Sequence, residues 1–158
     1  LTATVEAVVQ TANGMILVRD VGVDTREDQR AAAEAARIPG SRGRAAMIAA
    51  AGTVLQLRCA HQLTRPRVRL EIGANDGPYE LTVISGRIAV DTGDGLACEI
   101  PAAPGTYRVA VEHQGREELQ AAAREVEART QHADAAATHA GWRELDGMES
   151  YRVLLWPA

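Results

Sequence analysis

The chain has 158 residues, 46% of them hydrophobic and 24% charged, with a net charge of -4. These are the proportions of an ordinary globular chain, and they exclude disorder, a collagen-like repeat and a disulfide scaffold. The acidic balance gives no global attraction for nucleic acid, and none is expected as a partner.

A chain of this length can bury one core without disulfides or metals, so a single β domain over 1–158 is expected, with a helical insertion at 116–140. No stretch approaches the roughly 18 apolar residues of a membrane span, and residues 1–10 lack a basic start and an apolar leader core. A cytoplasmic protein without a membrane partner is therefore predicted. All 17 cationic side chains are Arg, Phe is absent and Ala is abundant, a codon signature of a GC-rich bacterial genome.

In chain order, Thr4–Gln10 and Met15–Arg19 read as strands, and the Asn13-Gly14 dipeptide between them predicts a first hairpin. Asp24 or Thr25 can cap a short helix over Arg26–Arg37, whose alanines favour helix but offer little bulk. Pro39-Gly40-Ser41-Arg42-Gly43 ends it, and 22–44 reads as a long excursion between strands.

From Thr53 onward apolar and polar residues alternate. Leu55, Leu57 and Cys59 share one phase, as do Val68, Leu70 and Ile72; Tyr79, Leu81 and Val83; and Ile88 with Val90. Leu96, Cys98 and Ile100 follow, then Tyr107, Val109 and Val111. Period two predicts half-buried strands. The gaps at Asn75-Asp76-Gly77-Pro78, Ser85-Gly86, Thr92-Gly93-Asp94-Gly95 and Pro101–Gly105 are short turns suited to antiparallel neighbours.

Between Arg116 and Ala140 there is neither Gly nor Pro, which predicts one long Ala-rich helix ending at Gly141. Leu119, Ala122, Ala123, Val126 and Ala133 form its thin apolar stripe. Tyr151–Trp156 reads as a last strand with Tyr151, Val153 and Leu155 inward. The fold class is thus mainly β: an antiparallel β-sandwich or small barrel, with a short N-terminal helix and one long Ala-rich helix inserted before the last strand.

The run Pro104-Gly105-Thr106-Tyr107-Arg108-Val109-Ala110-Val111, then Gln114-Gly115-Arg116, then Leu155-Trp156-Pro157, resembles an uncharacterised family of small β proteins from high-GC bacteria. More distantly the layout is similar to the competence protein J family of nuclease inhibitors. That resemblance implies an inhibitor or immunity role exercised on a protein partner, with no functional residue carried over.

Candidate chemistry is sparse. Asp91-Thr92-Gly93 resembles half of an aspartic protease signature, but no second copy exists and Asp94-Gly95 is an ordinary turn. Asp20, Asp24, Glu27 and Asp28, or Asn75, Asp76, Asp91 and Asp94, offer oxygen ligands without the spacing of a calcium loop. His61, His113, His132 and His139 are scattered, with only His132 and His139 placed on one helical face. Ser41, Ser85 and Ser150 lack a nucleophile context. Cys59 and Cys98 read as small core residues rather than ligands or a redox pair. No catalytic residue, cofactor or metal is predicted.

The remaining feature is a row of Arg65, Arg67 and Arg69 on the polar side of one strand, with Arg58 on an expected neighbour. Such a face can take carboxylate or phosphate groups, or be consumed by Glu71, Glu80, Glu99 or Glu112 across strands. The favoured function is a non-enzymatic protein-interaction module of inhibitor or immunity type. The alternatives are a small-ligand or carbohydrate-binding β module using Trp142, Trp156 and the tyrosines, and an enzyme using loop carboxylates. A protein partner is expected, and an exposed edge strand leaves a homodimer open.

Overall fold

The computed structural model describes residues 3–41, 43–73 and 76–158. Arg42 and Asn75, which belong to two of the predicted turns, lie outside the described residues. In chain order the elements are β1 (Ala3–Val8), β2 (Met15–Asp20), α1 (Arg26–Ala36), β3 (Ile48–Ala51), β4 (Val54–Arg58), β5 (Arg67–Ile72) and β6 (Tyr79–Val83). They continue with β7 (Arg87–Asp91), β8 (Leu96–Pro101), β9 (Gly105–Gln114), α2 (Arg116–Thr130), α3 (Ala135–Arg143) and β10 (Ser150–Pro157).

The alternation seen in the sequence becomes the inner faces of two five-stranded sheets, ordered β1-β5-β10-β9-β6 and β3-β4-β2-β7-β8. Leu55, Leu57, Val68, Leu70, Leu81, Ile88, Val90, Val109, Tyr151, Val153 and Leu155 meet in one core cluster drawn from both sheets. At the sides β1 lies beside β8 and β3 beside β6, but no ladder joins the sheets, so the fold is a sandwich and not a closed barrel.

The structure departs from the expected pairing in three places. β1 and β2 do not form a hairpin: β1 pairs with β5, whereas β2 lies between β4 and β7. The segment 9–14 crosses the roughly 10 Å between the layers, and the Val9 N–H, donating to Pro66 O, keeps that end on the first sheet. β10 is inserted between β5 and β9 and runs parallel to β5, the one parallel pair among the described ladders. Its central position buries Leu154 on the outer face as well as Val153 and Leu155 on the inner one. β3, with the sequence Ile-Ala-Ala-Ala, carries too little β propensity to be read as a strand but is held as an edge by β4.

The Ala-rich segment forms two helices, not one. Asp134 caps α3 by accepting from the Ala137 N–H at 2.8 Å, and the chain turns through 131–134. Gly141 does not end a helix; it lies inside α3, where an added Cβ would come within 3.2 Å of Val126 and Thr130. Its bare backbone lets α3 pack closely on α2. Leu119, Ala123, Val126 and Leu145 form the small core beneath this pair, while Ala133 stays exposed.

α1 spans the outer face of the second sheet. Ala32 and Ala36 are fully buried over β3 and β4, their small size bringing helix and sheet close together. Asp28 pins the contact, accepting from the Thr53 N–H at 2.9 Å and the Thr53 hydroxyl at 2.6 Å. The Thr53 hydroxyl bond, reinforced by the backbone N–H, holds the Asp28 carboxyl below its ordinary pKa.

Candidate functional site

The cover that α1 provides is incomplete, and a groove runs along its flank. Because β4 alternates, Gln56 and Arg58 point outward while Leu55 and Leu57 point into the core. Across the ladder, Leu17 lies opposite Gln56 and Met15 opposite Arg58. These four side chains make the floor. The wall is one stripe of α1, in which Arg26, Arg30 and Ala33 recur at helical spacing, continued by Arg37 just past the helix end. The first part of the groove, about 870 Å³, is bounded by Met15, Leu17, Gln56, Arg26 and Arg30. It meets, at Ala33, a second part of about 560 Å³ bounded by Arg37, Arg44 and Arg58.

Hydrogen-bond donors outnumber acceptors here. Arg26 is held by Asp24, whose carboxyl is drawn down to about 2 chiefly by that bond. Arg37 pairs with Glu34 at 3.2 Å. Arg30, Arg44 and Arg58 form no ion pair among the described residues. Gln56 is 1% exposed, and its Nε2 has no partner; nor does Nε of Arg58. An unmet buried donor costs about 1–3 kcal/mol, so the floor favours any ligand that brings acceptors.

Of the carboxylates suggested for metal or acid–base chemistry, Asp20, Asp24, Asp28, Asp76 and Asp91 are engaged by donors of their own turns and elements. Asp20, fully buried, accepts from the N–H groups of Gly22, Ile84 and Ser85, tying the end of β2 to the β6–β7 turn. Burial alone would raise its pKa; hydrogen bonding by Ser85, Ile84 and Gly22 outweighs this and holds it below the ordinary value. Asp91 accepts from Arg19 at 2.8 Å and from the Gly93 N–H at 2.9 Å, so its Asp-Thr-Gly is a braced turn. Asp76 lies beside Arg108 on the other sheet. No group of three His, Cys, Asp or Glu placed to hold a metal occurs among the described residues.

The four arginines singled out in the sequence are divided between the layers. Arg58 belongs to β4 in the second sheet, whereas Arg67 and Arg69 lie on β5 in the first, because β4 and β5 are not neighbours. On the outer face of the first sheet the charges form a ladder: Arg67 bonds Glu6 at 2.8 Å, Arg69 meets Glu71, and Arg152 bridges Glu71 and Glu112. Arg65 binds Gln10 and approaches Asp146.

A second polar cluster closes the end of the sandwich near α2. The Glu149 carboxylate, 1% exposed, accepts from the Ala60 N–H at 2.9 Å and pairs with Arg116 at 3.3 Å. The Tyr151 hydroxyl lies against Glu149, Arg116 and the Arg58 carbonyl. Burial, then the neighbouring Glu149, raises the Tyr151 pKa, and the same two causes push the Cys59 thiol up to about 12. A protonated thiol and phenol that far from neutrality are packing groups, not nucleophiles.

The aromatic platform is not assembled either. Trp142, in α3, stacks on His61 with centroids 4.9 Å apart, whereas the half-exposed Trp156 lies near the end of β10. His132 and His139 do not share a helical face, since α2 ends at Thr130 and only His139 lies in α3. Ser85 accepts from the Gly22 N–H and serves the turn.

The sequence reading overlooked Arg30, Arg44, Gln56 and Glu149. The helical spacing of Arg26, Arg30 and Arg37 was visible, but only the packing of α1 on β4 shows that the row faces a groove.

Comparison with known proteins bears on this arrangement through the fold. No protein-family model and no curated protein sequence matches the chain. Among solved structures it is similar to crocagin biosynthetic gene J, with a TM-score of 0.57 and 16% identity over 99% of this chain and 98% of that one. It is also similar to ComJ of Bacillus subtilis, described as an inhibitor of the DNA-degrading activity of NucA, with a TM-score of 0.51 and 10% identity over 99% and 96%. At these identities what is shared is the two-sheet architecture. Among the described residues, no helix is long and apolar enough to cross a membrane.

Proposed function

We propose that this chain is a non-enzymatic protein-interaction module of inhibitor or immunity type. The observation that carries the reading is the end-to-end likeness of its fold to an inhibitor that acts on a protein. Two features of the site support it. The buried and turn carboxylates Asp20, Asp28, Asp91 and Glu149 are all committed to holding loops and elements together. The groove beside α1 is an open concave surface carrying donors that have no partner among the described residues, as a docking surface does.

Of the interaction residues first considered, Arg58 fits the role best, because Arg67 and Arg69 already have acidic partners. The reading also takes the protein to work in the cytoplasm of a high-GC bacterium, against a separate protein rather than a second copy.

The test is direct. The purified chain is titrated into a nuclease encoded beside its gene, following complex formation by calorimetry and DNA cleavage in parallel. A stoichiometric complex with loss of cleavage is expected. Full cleavage in excess chain, with no heat and no complex on gel filtration, would overturn the reading.

A further inference from the structure

The groove along α1 has a specific chemistry, and we propose that it docks an acidic segment of a partner protein, with carboxylate side chains set between Arg30, Arg44 and Arg58 and apolar ones on Met15 and Leu17. The inference rests on the interaction-module reading and deepens it by naming the surface and the kind of segment it takes.

Charge complementarity supports it first. Three guanidinium groups with no ion-pair partner among the described residues line one groove, on a chain whose net charge is -4. Guanidinium groups form paired hydrogen bonds to carboxylates, and a groove that gathers them favours an anion at short range. The floor supports it independently. Gln56 is almost wholly buried, yet its amide nitrogen and the adjacent Nε of Arg58 have no partners, two donors on successive outward positions of β4. A strand places such positions roughly 7 Å apart, within the reach of one extended segment.

The occupant is peptide rather than nucleic acid for two reasons. Met15, Leu17 and Ala33 give the groove an apolar strip that an acidic segment with apolar residues can cover. Asp24, Glu27 and Glu34 also flank it, and would repel a continuous run of phosphates more than a few spaced carboxylates. The ladder on the first sheet offers no comparable surplus, because its arginines alternate with glutamates.

The experiment uses the intact chain and a fluorescein-labelled peptide of alternating Glu and Leu, followed by anisotropy at low salt. The same peptide with Gln for Glu, and a single-stranded oligothymidylate of equal charge, are measured beside it. The acidic peptide is expected to bind saturably and to weaken as salt rises. Arg30→Glu with Arg44→Glu, at exposed positions, should weaken it about tenfold or more, whereas Arg67→Glu with Arg69→Glu should leave it nearly unchanged. Thermal melts of both pairs confirm that the fold persists.

No saturable binding, equal binding of the Gln peptide, tighter binding of the oligonucleotide, or equal loss in both variant pairs overturns the proposal. Where a partner nuclease is in hand, Arg30→Glu with Arg44→Glu separates the two claims. A complex that survives unchanged refutes the groove and leaves the module reading intact, whereas no complex with the unmodified chain refutes the module reading itself.

Discussion

Replacing Asp20 tests the assignment of the buried carboxylates to structure. Its two oxygens serve three N–H groups, with Gly22 at 2.9 Å on one and Ser85 at 2.9 Å, together with Ile84, on the other. Asp20→Ala removes both acceptor oxygens, and with them all three hydrogen bonds. Bonds to a charged acceptor are worth about 1.5–3 kcal/mol each, but the three donors belong to surface turns where water can enter, so a loss of about 3 kcal/mol is expected. For a chain of this size that lowers Tm by about 6–12 °C.

Asp20→Asn keeps one acceptor but turns its amide toward the other donors, and should cost about 2 kcal/mol. The pH dependence carries a sign. The native carboxyl sits below its ordinary 3.8, so between the folded and unfolded values the unfolded chain binds more protons and stability rises with pH. The contribution is therefore complete above that ordinary value and is lost as pH falls through the folded pKa. Urea titrations across the acid range should show the gap between the unmodified chain and Asp20→Asn closing below about pH 4. A variant within about 1 kcal/mol of the unmodified chain at neutral pH, or a gap that ignores acid, would refute the reasoning.

Three further outcomes are expected. Gly115→Ala should fail to fold or lose more than about 3 kcal/mol, since φ is +81° and the new Cβ would lie 2.0 Å from Met148 O; denaturant melts or the soluble yield check it. Tyr151→Phe should cost about 1–2 kcal/mol by leaving Glu149 and Arg116 one partner short, whereas Glu149→Ala, which takes the carboxylate from half-buried Arg116 and the acceptor from the Ala60 N–H, should cost about 2–3 kcal/mol; both are read by urea unfolding. Cys59, half-buried and with its thiol held up to about 12, should react with a thiol reagent at pH 8 much more slowly in the folded chain than in the unfolded one, and equal rates would contradict this environment.

The sequence by itself determined which side of each strand meets the core. From Leu55 to Leu155 the alternating phase identified most of the inward residues, because a strand turns successive side chains to opposite faces whatever its neighbours are; Leu96, on the inward phase of β8, is exposed at the strand's start beside the irregular pairing at Val90 and Asp91. It also located the Ala-rich excursion before the last strand. It did not determine partners. The Asn13-Gly14 turn reads as a hairpin locally, yet β1 and β2 enter different sheets; Arg58 and Arg67 read as neighbours, yet a whole layer separates them.

The break between α2 and α3 and the depth of Gln56 were likewise decided by tertiary structure: Gly141 lets two helices touch, and α1 covers a polar side chain that alternation alone would leave in water. The physical reason is one of range. Phase and propensity are local properties of the chain, written every second or fourth residue. Strand order, ion pairing and the groove depend on which distant surfaces bury most area together, and that is settled only when the layers pack.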